Sequence, residues 1–117
     1  MTEGRRTKRA SEQIRDVIAH LVIKGFKDPR VNGFITVTKV EMTPDLKLAR
    51  VFVSILGEKE KRLKVLKGLQ NASGFIKSNI AKALKLRFTP DLEFGLDDSL
   101  DYVEKIDRLL KEANGYE

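Results

Sequence analysis

The residues of this sequence that are best suited to chemistry are lysines and arginines, and they are concentrated in one stretch. From Lys61 to Arg87 there are eight Lys or Arg residues and no Asp or Glu. A surface that only confers solubility usually mixes both signs of charge. A stretch that carries cations alone is suited to binding phosphate groups. The sequence therefore favours polyanion binding at this stretch over bond-making chemistry.

The centre of the stretch is a run of small residues, 71–74, between two patterns of helical spacing. At about 100° per residue, the second pattern has an apolar face and a separate basic face. Glycine reaches positive φ freely and lets another chain approach the backbone. The pattern therefore predicts a helix pair from Leu63 to Arg87 with a kink at Gly74. A phosphate chain could lie against the backbone at this kink. The alternative is that Gly74 only ends one helix and lets the next begin.

The predicted nucleic-acid-binding residues are positively charged or lie at this kink. They are Arg5, Arg6, Lys8, Arg9, Lys67, Ala72, Ser73, Gly74, Lys77, Lys82, Lys85 and Arg87. The first four belong to residues 1–9, which have almost no apolar side chain. This composition predicts a mobile basic arm that enlarges the surface in contact with the nucleic acid.

The residues that most catalytic sites require are missing. The chain has no cysteine and one histidine, His20, which excludes a thiolate metal site and a histidine-based zinc site within one chain. Most acid–base and nucleophilic schemes then lack their usual residues. Asp97, Asp98 and Asp101 could hold a divalent cation, but carboxylates in this setting are usually helix caps. We predict a non-enzyme without catalytic residues, cofactor or metal.

The distribution of charge along the chain is uneven. Residues 1–87 carry 20 basic and 8 acidic side chains, whereas residues 88–117 carry 3 basic and 9 acidic ones. Such segregation attracts polyanions and orients them on approach. The length of 117 residues suits one domain, 1–117, and no apolar run approaches the ~20 residues of a membrane span. We expect a cytoplasmic protein, and nothing in the sequence argues for a state other than a monomer.

Periodicity predicts the elements that must position these residues, in the order α-β-β-α-α-β-α. A helix covers Ser11 to Lys24 and ends at Gly25; its start moves earlier if Thr7 caps it. Strands cover Phe34–Met42 and Ala49–Leu56 and form an antiparallel hairpin about the turn 43–46. A change of parity near Thr38-Lys39 predicts a β-bulge. Thr89-Pro90 ends the helix pair, Asp91–Asp97 is a third strand, and Asp97-Asp98-Ser99 caps a last helix.

The sequence resembles the ribosome-binding factor A family over about residues 5–112. The matching segments are Asp28-Pro29-Arg30, Ile35-Thr36-Val37-Thr38, Thr43-Pro44-Asp45-Leu46, Ala49-Arg50-Val51-Phe52-Val53-Ser54, Ala72-Ser73-Gly74-Phe75, Leu86-Arg87, Pro90-Asp91-Leu92-Glu93-Phe94, Asp98-Ser99 and Ile106-Asp107-Arg108-Leu109-Leu110. Each segment alone is weakly specific, whereas their joint order and spacing are a strong match.

The resemblance implies an α+β fold: a single KH-like domain of type II, α-β-β-α-α-β, with an extra C-terminal helix. Its three-stranded sheet is covered by helices. The family has an Ala-x-Gly kink instead of the usual Gly-x-x-Gly loop, and Ala72-Ser73-Gly74 matches that kink. The resemblance also implies association with the small ribosomal subunit, late maturation of its ribosomal RNA including the 5′-end region, and a role in cold adaptation, with no small-molecule substrate.

Two other functions stay open at this point. A helix pair about a short glycine turn is also typical of helix-turn-helix proteins, which bind DNA. Such a protein has no need of the hairpin or of the third strand, but the sequence discriminates only modestly. The acidic last helix could instead make the chain a protein-interaction module, with RNA contact incidental.

Overall fold

The computed structural model describes residues 4–85 and 87–97. Its elements in chain order are α1 (Arg5–Lys24), β1 (Ile35–Met42), β2 (Leu48–Ile55), α2 (Lys59–Asn71), α3 (Ser73–Leu84) and β3 (Asp91–Leu96). The strands form one sheet in the order β1-β2-β3, and β2 is antiparallel to β1 and parallel to β3. The predicted α+β order and the helix-covered three-stranded sheet are confirmed. The predicted last helix lies outside the described residues.

The hairpin of β1 and β2 has the predicted bulge. The register shifts between Val37 and Lys39, and the Thr38 hydroxyl donates a hydrogen bond of 3.1 Å to the carbonyl oxygen of Phe52. The extra residue lets both Val37 and Val40 point into the core, although they have opposite parity. Local alternation of apolar residues was therefore a sufficient guide to the bulge.

The core lies between the sheet and the three described helices. The inner face of β2 is completely covered: Ala49, Val51 and Val53 have no exposed surface and Ile55 has 1%. Each helix contributes branched or long aliphatic side chains to the same cluster, namely Ile14, Ile18, Leu21, Val65, Leu69, Ile76 and Ile80. The outer face of the sheet is polar, with an ion pair between Arg50 and Glu93. Burial of one sheet face thus fixes where the helices lie.

The first helix begins at Arg5, six residues before the predicted start at Ser11. The arm predicted for residues 1–9 is wrong for residues 5–9, which are the first turns of α1 after the N-cap residue Gly4. Thr7 is buried, and its hydroxyl donates 2.8 Å to the carbonyl oxygen of Gly4. Ala10 is also buried. These two small side chains pack the basic segment onto the domain, so it is helical despite its charge.

The end of the helix pair also differs from the prediction. The pair runs from Lys59 rather than Leu63, and α3 ends at Leu84 rather than at the Pro90 break. Lys85 takes the left-handed conformation, with φ 53° and ψ 38°, and its N–H caps the carbonyl oxygen of Ala81. A left-handed residue stops a helix wherever it occurs, and no glycine marked this one in the sequence.

Within residues 4–85 and 87–97, β3 is an edge strand, and a side chain from α2 binds its outer edge. Nε2 of Gln70 donates 3.1 Å to the carbonyl oxygen of Leu92, and its Oε1 accepts 3.0 Å from the N–H of Phe94. One amide thus satisfies a donor and an acceptor that an edge strand would otherwise leave unpaired. The contact fixes the last turn of α2, and with it the kink, against the sheet.

Candidate nucleic-acid interface

The kink between α2 and α3 lies at Ala72, within the predicted Ala72-Ser73-Gly74. Ala72 has φ −86° and ψ 5°, and its N–H donates 3.0 Å to the carbonyl oxygens of Gly68 and Leu69. Gly74 lies inside α3 and is not among the glycines with positive φ, so the conformational reason given for it is wrong. Outside the surrounding helix turn, a Cβ at Gly74 would meet no heavy atom of the described residues within 4 Å. The backbone there is open to the close approach of another molecule.

The two faces of α3 are separated largely as predicted. Ile76 and Ile80 are fully buried, whereas Lys82 and Lys85 are exposed. Lys77 is half-buried, and its Nζ lies 2.8 Å from Oδ1 of Asp91 at the start of β3. Because Asp91 is 78% exposed, this ion pair is weak. Lys77 can therefore exchange Asp91 for a phosphate at little cost.

Two of the predicted cations that lie far apart in the sequence, Arg6 and Arg87, line the same cavity. This Arg6–Arg87 cavity has a volume of about 660 Å³, and Asp91 also lines it. The Lys77–Asp91 pair therefore borders it, and Lys85 and Arg87 follow directly after α3. The full lining is Arg6, Asp45, Leu46, Lys47, Arg87, Phe88, Thr89 and Asp91. We call Arg6, Lys77, Lys82, Lys85 and Arg87 the basic surface.

Both carboxylates of the cavity are engaged with other groups. Oδ1 of Asp45 accepts 2.7 Å from the Thr43 hydroxyl and 3.1 Å from the N–H of Lys47. These hydrogen bonds, the first above all, lower the pKa of Asp45 and keep it ionised. Asp91 is paired with Lys77. Within residues 4–85 and 87–97, neither Arg6 nor Arg87 has a carboxylate partner within 4.0 Å, so these guanidinium groups are available to an anion.

The first turns of α1 concentrate cations where a helix least favours them. Arg5, Arg6, Lys8 and Arg9 are all exposed, and the first turn has no acidic residue. Each cation there opposes the positive end of the helix dipole, at a cost of about 0.3–1 kcal/mol. A phosphate bound nearby would remove this cost. The arrangement is thus unfavourable in the isolated chain and favourable next to a polyanion.

The structure does not bring every predicted residue to the basic surface. Lys8 lines a separate cavity with Arg15 and Lys39. Lys67 is exposed on α2, a different element from the α3 cations of the basic surface. Arg5 and Arg9 are exposed on α1, and neither lines the Arg6–Arg87 cavity. The predicted footprint is therefore divided between the basic surface, the kink and the flank of α1.

A groove lies beside the kink that the sequence did not indicate. This kink groove has a volume of about 400 Å³ and separates the end of α1 from the start of α3. Its walls include Ala72 and the rings of Phe26 and Phe75, whose centroids are 6.3 Å apart in an edge-to-face arrangement. Lys24 and Lys27 also line it. The spacing of apolar residues in the sequence did not distinguish Phe26 or Phe75 from ordinary core residues.

The loop below the groove holds α2 in place. Asp28 and Arg30 form an ion pair, with Nη2 and Oδ2 2.6 Å apart. The hydrogen bonds from Arg30 lower the pKa of Asp28 to about 2. This loop packs so closely on α2 that a Cβ at Gly68 would lie 2.7 Å from Cγ2 of Val31. Gly68, and not Gly74, is therefore the glycine that the described packing requires.

Two negative observations apply to the described part of the chain. No group of three or more His, Cys, Asp or Glu residues among residues 4–85 and 87–97 could hold a metal ion. Asp98 and Asp101, which we considered for such a site, lie outside those ranges. No helix within the same ranges is long and apolar enough to cross a membrane.

The element order, with a kinked helix pair between β2 and a parallel β3, defines a KH-like domain. A family model described as ribosome-binding factor A matches residues 6–110. The chain is 48% identical over 109 residues to ribosome-binding factor A of Macrococcus caseolyticus, an alignment that covers 93% of this chain and 95% of the relative. The chain belongs to the ribosome-binding factor A family.

Solved structures agree with this assignment. The crystal structure of ribosome-binding factor A from Thermus thermophilus matches with a TM-score of 0.65 at 26% identity, over 77% of this chain and 94% of that one. A homology model of the Thermus thermophilus factor, fitted into the cryo-EM map of its 30S complex, matches with a TM-score of 0.59 at 23% identity, over 83% and 97% of the two chains. The second likeness concerns the fold alone.

Proposed function

We propose that this protein is a non-catalytic RNA-binding factor that associates with the small ribosomal subunit. It acts in late maturation of the subunit's ribosomal RNA, including the 5′-end region, and supports growth in the cold. It works as a cytoplasmic monomer without a cofactor or a small-molecule substrate. The family membership and the 30S complex of the Thermus thermophilus relative support the choice of partner.

The observation that carries the proposal is the convergence of cations from α1 and from the end of α3. Arg6 and Arg87 line one cavity, and the Lys77–Asp91 pair links that cavity to α3. Phosphate neutralisation by several such cations gives binding that weakens steeply with salt. Phosphates would bind at this surface, while the open backbone at Gly74 allows the nucleic-acid chain to approach the kink closely.

The test is binding to purified small ribosomal subunits across a salt series. Lys82→Gln/Lys85→Gln removes one cation from the last turn of α3 and one from its C-cap residue. The double variant should bind more weakly and flatten the logarithmic salt slope by roughly one unit per lost phosphate contact. For a single charge, Arg87→Gln is compared with Arg50→Gln, which removes an exposed arginine from the outer face of the sheet. Equal effects of the two arginine variants would contradict the assignment of the surface.

The kink is tested separately with Gly74→Ala. Among residues 4–85 and 87–97, the added methyl group has no neighbour within 4 Å outside its own helix turn, so the fold should persist. A methyl group at a point of backbone contact should nevertheless reduce affinity for the subunit without changing the salt slope. Unchanged affinity would mean that no chain comes close to this residue.

The cellular role has its own readout. Loss of the protein should cause accumulation of small-subunit RNA with an unprocessed 5′ end, and the defect should be larger at low temperature. A wild-type protein that ignores subunits but binds duplex DNA tightly would support the helix-turn-helix alternative instead.

A further inference from the structure

The kink groove contains an aromatic ring that is held in place and still exposed. Phe75 follows Gly74 on α3, and 56% of its surface is accessible, although the next residue, Ile76, is fully buried. The ring of Phe26 contacts it edge-to-face, at 78° between the ring planes. Such a contact restricts the ring without covering it, so its apolar surface remains in water at a free-energy cost.

The charges around the ring are predominantly positive. Lys24 and Lys27 line the groove with Phe75, and neither has a carboxylate partner among the described residues. Asp28 also lines the groove, but Arg30 holds its carboxylate with hydrogen bonds of 2.6–3.2 Å. The groove therefore combines an aromatic platform with cations, which suits a ligand that is flat, apolar on its faces and flanked by negative charge.

We propose that the kink groove binds one unpaired base of single-stranded RNA. The base stacks on Phe75, and its neighbouring phosphates contact Lys24 and Lys27. Gly74 has no Cβ, and no described residue outside its own helix turn lies within 4 Å of where one would be, so the sugar–phosphate backbone can pass the kink. The inference rests on the proposed function and deepens it, because it selects an unpaired segment over a duplex as the RNA that this side of the domain recognises.

The physical basis is that base–aromatic stacking needs a free base face. A base inside a duplex is stacked on both sides and cannot reach a protein ring, whereas an unpaired base can. The basic surface around Arg6 and Arg87 lies in a different cavity. It would bind phosphates of either kind of RNA, so strand selectivity should depend on Phe75 and not on those arginines.

The sequence provides a direct spectroscopic test. The chain has no tryptophan, so Phe75→Trp introduces a single fluorophore at the groove. Titration with a single-stranded decaadenylate should quench its emission to saturation, and a duplex of the same length should not. Phe34→Trp is the matched control, because Phe34 is 78% exposed and does not line the groove; its emission should not change.

Affinity gives an independent readout. Phe75→Leu should weaken binding of the decaadenylate by roughly tenfold, while Phe34→Leu leaves it unchanged; circular dichroism checks that both variants fold.

Equal quenching at both positions, full affinity of Phe75→Leu, or quenching by an acidic peptide in place of RNA would overturn the proposal. If Phe75→Leu keeps full affinity while subunit binding and its salt slope persist, the base-binding groove is wrong and the proposed function stands. Loss of wild-type binding to subunits would instead refute the function itself.

Discussion

The two glycines of the helix pair should respond in opposite ways to the same substitution. At Gly68 a new Cβ would lie 2.7 Å from Cγ2 of Val31 and 3.3 Å from Cβ of Arg30. Ordinary contacts begin at 3.4 Å, so Val31 must move by several tenths of an ångström. At Gly74 the new Cβ has no neighbour within 4 Å in the described part of the chain beyond its own helix turn. The perturbation is one methyl group in each case, and only the surroundings differ.

The magnitudes follow from two opposing effects. Replacing a helical glycine by alanine stabilises by up to about 1 kcal/mol, and this gain alone applies at Gly74. Overpacking a closely packed site costs about 1–3 kcal/mol, which offsets or exceeds the gain at Gly68. Gly74→Ala should therefore raise Tm by up to about 4 °C, whereas Gly68→Ala should leave it unchanged or lower it by several degrees.

Thermal unfolding followed by circular dichroism measures both shifts, and a third variant tests the cause. Val31→Ala removes the methyl group that a Cβ at Gly68 would strike. In that background Gly68→Ala should become stabilising, which is a coupling between the two sites. The reasoning is refuted if Gly68→Ala stabilises the wild-type chain as much as Gly74→Ala does, or if its effect is the same with Val31 and with Ala at that position.

Three further predictions concern stability. Lys85→Gly should stabilise the protein by about 1 kcal/mol, because glycine takes the left-handed conformation of Lys85 without a Cβ penalty; a urea midpoint that falls would contradict this. Arg5→Glu should stabilise by about 0.5–1 kcal/mol by favouring the α1 dipole, and the gain should largely vanish in 1 M salt. The pKa of Asp28 is about 2, below the ordinary 3.8, so its pairing with Arg30 stabilises fully above about pH 4 and is lost as pH falls towards 2. Urea midpoints from pH 6 to 2 should show this loss in the wild type and less of it in Asp28→Asn.

The elements of the sheet could be predicted because their signal is local. Burial alternates with a period of two along β2, and the parity change in β1 is visible in its own residues. The start of α1 was harder, because four cations near Thr7 suggested a mobile segment. Its helicity depends on burial of Thr7 and Ala10 against parts of the domain that the local sequence does not specify.

The candidate site could be predicted only in part. Charge composition located the basic stretch, but the Lys77–Asp91 pair depends on where β3 enters the sheet. The meeting of Arg6 with Arg87 likewise depends on packing between distant segments. Gly74 stood out because it lies between two patterns of helical spacing, yet Gly68 is the one constrained by contacts. The kink groove needed the tertiary structure, since Phe26 and Phe75 lie on separate elements.

The amide of Gln70 also determines how the sheet can grow. A strand of another molecule would hydrogen-bond to the carbonyl oxygen of Leu92 and the N–H of Phe94, and Gln70 already occupies these two groups. A strand from a second copy could pair there only after displacing this side chain. Gln70→Ala would expose the edge, and we expect the variant to self-associate at concentrations at which the parent chain remains dispersed. One glutamine at the end of a helix thus protects the domain against polymerisation through β3.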